Sequence, residues 1–221
     1  MDSERCLHRL LRSSTKHGLL YSALAASCVI AQPTQNGPAT LEAFLDDVHS
    51  LTADFRQEIW TADQRLLQTE TGTFSLERPN RFRWLYKEPT ELTVVADGAQ
   101  LWIYDVELEQ VTVAPFDASV GVSPAMLLSG DRSVREGFDV VDSYPAEGFQ
   151  WVKLTPKIGG GDFSSVLIAF DGTTPRRLEL VDGLNQVTRI ELDNLAVNPD
   201  LDENIFEFDV PPGVDVIGDE G

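Results

Sequence analysis

The chain is poor in the residues that most often perform chemistry. Its 221 residues include two cysteines, two methionines and three histidines. Both cysteines, Cys6 and Cys28, and two histidines, His8 and His17, fall within the first 31 residues. Beyond them the chain has no thiol and one imidazole, His49. A Ser-His-Asp or Cys-His site needs an imidazole beside its nucleophile, whereas His49 falls at the end of a predicted amphipathic helix. Metal sites built from His and Cys clusters fail by count. With no cysteine past residue 31, no disulfide can staple the remainder, which must stand by packing. Nor does any window approach the ~20 uninterrupted apolar residues that cross a bilayer as a helix.

Positive charge is also scarce. Seventeen Lys and Arg face 36 Asp and Glu, a net charge of −19. The first 31 residues hold four of the basic and two of the acidic groups, so the rest carries 13 against 34, or −21. Such a surface repels nucleic acid and anionic lipid headgroups, and solubility or a saline habitat is its plain reading. The carboxylates do not pair as an acid and a base. Asp46-Asp47, Glu107/Glu109 and Asp200/Asp202/Glu203 read as solvated edges and turns, and the last group lacks the glycine and spacing of a calcium loop. IGGGD at 158–162 lacks the Lys-Ser/Thr and the helix of a phosphate cradle, and reads as a hairpin turn. An enzyme is not expected, nor a metal or cofactor.

What is present divides in two. Arg5, Arg9, Arg12 and Lys16 precede an apolar run, Gly18–Ile30, and Val29 and Ala31 supply the small residues of a cleavage site. Residues 1–31 therefore read as a secretory signal peptide, and residues 32–221 as one domain. LAASC, ending at Cys28, is loosely similar to a lipid-attachment signal, but Ala25 stands where leucine is usual.

In the domain, Thr40 is placed to cap a helix whose apolar positions Leu41, Phe44, Leu45 and Val48 follow the i, i+3, i+4, i+7 stripe. Strands then read near 51–61, 66–77, 80–87, 91–97, 100–105 and 109–114, with turns at TADQ, RPN, KEP and DG. A second helical stretch contains SPAMLL at 123–128, with Ser123 as cap, Pro124 in the first turn and Gly130 as terminator. Strands resume near 135–142, 148–155, 163–170, 175–182 and 185–194, and IFEFDV at 205–210 alternates like a last one. Many short antiparallel strands without a βαβ rhythm predict a mainly β fold, a barrel or strongly curved sheet, with short helices as covers near 40–50 and 116–130.

LERPNRFRWLY at 76–86 is the most telling stretch. Strand alternation puts Phe82, Trp84 and Tyr86 on one face and Arg81 and Arg83 on the other. Onward to Val113 the chain strongly resembles the periplasmic outer-membrane lipoprotein carrier family, LolA. The matching features are Arg78-Pro79, Phe82 and Trp84, Pro89, Val94-Val95-Ala96-Asp97-Gly98, Leu101-Trp102-Ile103-Tyr104 and Glu109-Gln110. Phe55-Arg56-Gln57, SPAMLL, LTP at 154–156 and FEFDVPPGV at 206–214 extend the match. Ala96 and Leu51 are modest departures.

The resemblance implies an incomplete, half-open antiparallel β-barrel of about eleven strands, with a helical lid enclosing a hydrophobic cavity. It implies a periplasmic protein of a Gram-negative bacterium, with triacylated outer-membrane lipoproteins as cargo. The inner-membrane lipoprotein-releasing ABC transporter LolCDE would supply that cargo, and an outer-membrane acceptor, LolB, would receive it. A monomer is expected. The family's arginine falls on Arg78, as a latch that holds the empty lid shut through lid backbone. Leu45, Leu51, Phe82, Trp84, Val94, Met126, Leu127 and Leu128 are expected to contact acyl chains. The rival readings are a LolB-like acceptor anchored through Cys28, a periplasmic lipoprotein-sensing regulator and, last, a hydrolase.

Overall fold

A computed structural model of the chain describes residues 37–116, 124–130, 132–157 and 163–218, with backbone alone at 124–126 and 132–133. The elements run α1 (Gly37–Asp47), β1 (Ser50–Trp60), β2 (Leu66–Glu77), β3 (Arg81–Glu88), β4 (Leu92–Asp97), β5 (Gln100–Asp105) and β6 (Gln110–Pro115). There follow α2 (Pro124–Ser129), α3 (Arg132–Gly137), β7 (Phe138–Ala146), β8 (Phe149–Pro156), β9 (Phe163–Asp171), β10 (Thr174–Asp182) and β11 (Val187–Val197). Among the described residues, one 3-10 turn, Glu203–Phe206, and β12 (Asp215–Gly218) complete the set.

All twelve strands form one open sheet in the order β12-β6-β5-β4-β3-β2-β1-β11-β10-β9-β8-β7. Strands β1 to β11 pair antiparallel with their neighbours, as the turn-rich sequence predicts. Strand β12 differs: it adds to β6 in parallel. The two edges, β12 and β7, do not join.

Register fixes which side chains face inward. Leu51, Ala53 and Phe55 of β1 lie opposite Leu76, Phe74 and Gly72 of β2, which lie opposite Phe82, Trp84 and Tyr86 of β3. On the other flank Ile190 and Leu192 of β11, Leu178 and Leu180 of β10, Val166, Ile168 and Phe170 of β9, and Val152 and Leu154 of β8 continue this face. Against it pack Leu41, Phe44, Leu45 and Val48 of α1, so the helical stripe read from sequence is the buried one. Phe44 meets Phe170, ring centroids 5.5 Å apart.

Three local expectations are corrected. Helix α1 starts at Gly37, with Pro38 in its first turn, where proline's fixed φ suits a helix; Thr40 is thus inside it and buried, not its cap. Gly37 also has a packing role, since a Cβ there would collide with Ser143 Cβ of β7. Residues 132–137 form α3 rather than the start of a strand. Val134 is buried, and Arg135 reaches α1 to pair with Glu42 and, at 2.5 Å, with Asp46.

The third correction concerns IFEFDV. Asp202 accepts a hydrogen bond from the Asn204 N–H and caps the 3-10 turn, and Phe206 is buried on the outer face. Pro211 and Pro212 carry no N–H for a ladder, so the chain reaches β6 only with β12. Ser123, the predicted cap of α2, and the IGGGD turn lie outside the described residues.

Candidate functional site

Arg78 follows β2 in the turn to β3, and its guanidinium reaches the ends of two helices. Nε donates to the Val48 carbonyl, just past α1, at 2.7 Å. Nη1 donates to the Gly130 carbonyl, just past α2. The guanidinium carbon lies 4.6 Å from the centre of the Phe44 ring. The Arg78 backbone N–H donates to His49 O at 2.8 Å. Carbonyls at a helix C-terminus lack intrahelical partners and carry the negative end of the helix dipole. A cation is therefore the matching side chain, and each charge-assisted bond contributes ~1.5–3 kcal/mol.

The two helices are not held equally. Asn198 also clips the end of α1: its Oδ1 accepts from the His49 N–H at 2.7 Å and its Nδ2 donates to Asp47 O at 2.9 Å. For α2 the described backbone link is a long one, Asn80 N–H to Ser129 O at 3.5 Å.

Beneath this clasp lies the apolar inner face. Leu45, Leu51, Phe82, Trp84, Leu127 and Leu128 are all buried in one cluster, and Val94 packs against it half-buried. The side chain of Met126 lies outside the described residues. The structure thus brings the seven described positions together on facing surfaces: four on strands, one on α1 and two on α2.

Residues 46–209 match the model of the outer membrane lipoprotein carrier protein family LolA. The chain belongs to that family. An outer-membrane lipoprotein carrier protein of Methylococcus capsulatus is 41% identical over 180 residues, spanning 81% of this chain and 86% of that protein. One of Halorhodospira halophila is 40% identical over 201 residues, spanning 90% and 92%. Among solved structures, an uncharacterized conserved protein from Thermus thermophilus aligns at a TM-score of 0.50 with 13% identity, over 84% of this chain and 99% of that one. This last likeness concerns the fold alone.

On this LolA-family sheet, two features escaped the sequence reading. The aromatic row of β3 is joined by Phe55 and Phe74, whose rings lie 4.7 and 4.5 Å from that of Trp84, and Phe55 meets Tyr86 edge-on at 5.1 Å. Gly72 makes this possible, because a Cβ there would collide with Leu85 O and fall 2.7 Å from the Phe55 ring. The second feature is that the face turns polar beyond Tyr86. Gln57, buried, donates to Glu70 at 2.6 Å, and the Tyr86 hydroxyl lies 3.5 Å from Gln57 Oε1 as a donor. Burial first, and then the Glu70 charge, push the phenol's pKa above its ordinary value, against the Gln57 contact, so the hydroxyl keeps its proton. Counting by two along F-R-Q-E-I-W puts Gln57 on the face of Phe55 and Ile59, and could have flagged it as a polar residue on the apolar side.

Proposed function

We propose that this protein is a periplasmic carrier that binds the acyl chains of outer-membrane lipoproteins on the inner face of its sheet. Residues 1–31 direct export, and the domain that follows acts without catalysis or cofactor. LolCDE loads it and, where one exists, LolB unloads it. Family membership supports the cargo class, and one geometric observation carries the mechanism. A single guanidinium, that of Arg78, joins the ends of α1 and α2 above a buried apolar surface.

Burying acyl chains releases ~0.8 kcal/mol per CH₂, enough for several long chains to bind almost irreversibly. A covered empty state opposes this, because cargo must first displace the helices. Two charge-assisted bonds are of the right size to set that balance. They end on backbone carbonyls, so opening exposes groups that water can satisfy. Leu45, Leu51, Phe82, Trp84, Val94, Met126, Leu127 and Leu128 would contact the chains once α2 lifts, with the Arg78 clasp as the latch.

Replacing Arg78 with Leu tests this. The variant should fold, accept lipoprotein from the inner membrane and retain it, so that cargo co-purifies with it from periplasm. Release at the wild-type rate would remove the latch. Intact mass of the secreted protein tests the leader, with Gln32 expected at the N-terminus and a lipidated Cys28 as the contrary result.

A further inference from the structure

Trp84 stands at the centre of the aromatic group and is 2% exposed. Its indole N–H is buried and has no hydrogen-bond partner among the described residues. Folded proteins pair the large majority of such donors, because desolvation without a partner is costly. The Ser129 hydroxyl, at the end of α2 above this face, is likewise buried and unpartnered among the described residues. Neighbouring Tyr86, 6.3 Å away ring to ring, makes only a long hydrogen bond to Gln57, at 3.5 Å. The unpartnered indole donor of Trp84 therefore lies one strand step from Tyr86, beyond which the inner face passes from apolar to polar.

An indole N–H donates and cannot accept, so its missing partner is an acceptor. A hydrocarbon chain offers none. The Glu70 carboxylate, held by the amides of Gln57 and Gln68 at 2.6 and 2.7 Å, disfavours a second anion near this end. What remains is a neutral carbonyl attached to a long apolar chain.

We propose that Trp84 Nε1–H binds the ester carbonyl that joins an acyl chain to the cargo, with the Tyr86 hydroxyl as its second donor. This rests on the carrier reading and adds direction and selectivity to it. The chains point along Phe82 toward α1 and α2, and the polypeptide leaves past Gln57 and Glu70. Trp84 then separates acylated polypeptide from bare hydrocarbon by the acceptor that only the former brings.

The experiment measures binding of two synthetic lipopeptides, one with two ester-linked acyl chains and one with ether-linked chains of equal length. Wild-type protein should bind the ester form about tenfold more tightly, the effect of one satisfied buried donor. Trp84→Phe keeps an aromatic ring but removes the N–H, and should bring the two lipopeptides to equal affinity. Tyr86→Phe should narrow the gap by less. Equal binding of both lipopeptides by the wild type overturns the inference and leaves the carrier reading standing, with no need for any variant to fold. An undiminished preference in Trp84→Phe also overturns it. If the wild type binds neither, the carrier reading fails and this inference falls with it.

Discussion

On the inner face, the cover consists of α1, α2 and α3; on the outer face of β3 to β6 it is the C-terminal segment that contains the 3-10 turn. Each is fastened by arginine from the same β2–β3 hairpin. Arg78 donates to Val48 and Gly130 carbonyls inside, while outside Arg83 donates to Ile205 and Glu207 carbonyls at 3.2 and 3.3 Å. Arg81 adds its guanidinium 5.6 Å from the Phe206 ring. From there the two covers diverge. The outer segment buries Phe206, stacks Phe208 on Trp102 at 5.7 Å, and continues into the β12–β6 ladder. The inner helices add no strand to the sheet. A cover that ends in a backbone ladder is part of the fold, whereas one held by side chain to carbonyl bonds can be lifted locally.

The largest effect expected is on the outer cover. Phe206→Ala should cost ~3–5 kcal/mol, read as a lower denaturant midpoint, while cargo retention stays at the wild-type level. A variant that unfolds no more easily would place both covers in the same class. Next comes Arg78→Leu, followed by amide exchange. Loss of a charge-assisted bond of ~1.5–3 kcal/mol should speed exchange in α2 by roughly ten- to a hundredfold. In α1 the change should be smaller, because Asn198 still holds its end. Equal acceleration in both helices would show that they open as one body.

A smaller effect is expected at Arg135, whose exposed pairs with Glu42 and Asp46 tie α3 to α1. Arg135→Gln should cost under ~1 kcal/mol, and the difference should vanish in concentrated salt. The smallest concerns Asp97, the last residue of β4, before the turn to β5. Burial opposes its ionisation, but N–H groups of Gln100 and Ala99 and the Trp102 indole outweigh this and hold its pKa below the ordinary 3.8. A lowered folded pKa means stability present above pH 3.8 and lost as pH falls through the folded value. Asp97→Asn should therefore be slightly less stable at neutral pH, and the gap should close below about pH 3.8 in an acid titration of unfolding.

Much of the sheet was legible because a period of two is a strong signal when one face is buried. The β3 reading, with Phe82, Trp84 and Tyr86 together and Arg81 and Arg83 opposite, holds residue for residue. So does the α1 stripe. Periodicity reports which side chains share a face, not what covers them. IFEFDV alternates as a strand would, yet its phenylalanines pack on an existing sheet instead of joining one. RSVREG has little pattern of its own, and Arg135's carboxylate partners on α1 lie 89 and 93 residues away in sequence. Spacing by two puts Gln57 on the face of Phe55, but only register shows that Glu70 stands opposite it.

Sequence alone determined the strand rhythm, the apolar stripe of α1, the scarcity of catalytic side chains and, through the Arg-Pro and aromatic block, the family. These are local properties, written in spacing and residue type. Tertiary structure decided that Arg78 meets two helix ends, that the C-terminus becomes a fixed outer cover, and that an indole N–H is buried without an acceptor among the described residues. Each of these depends on which carbonyl or ring a distant segment brings within hydrogen-bond or van der Waals reach, and no local pattern records that.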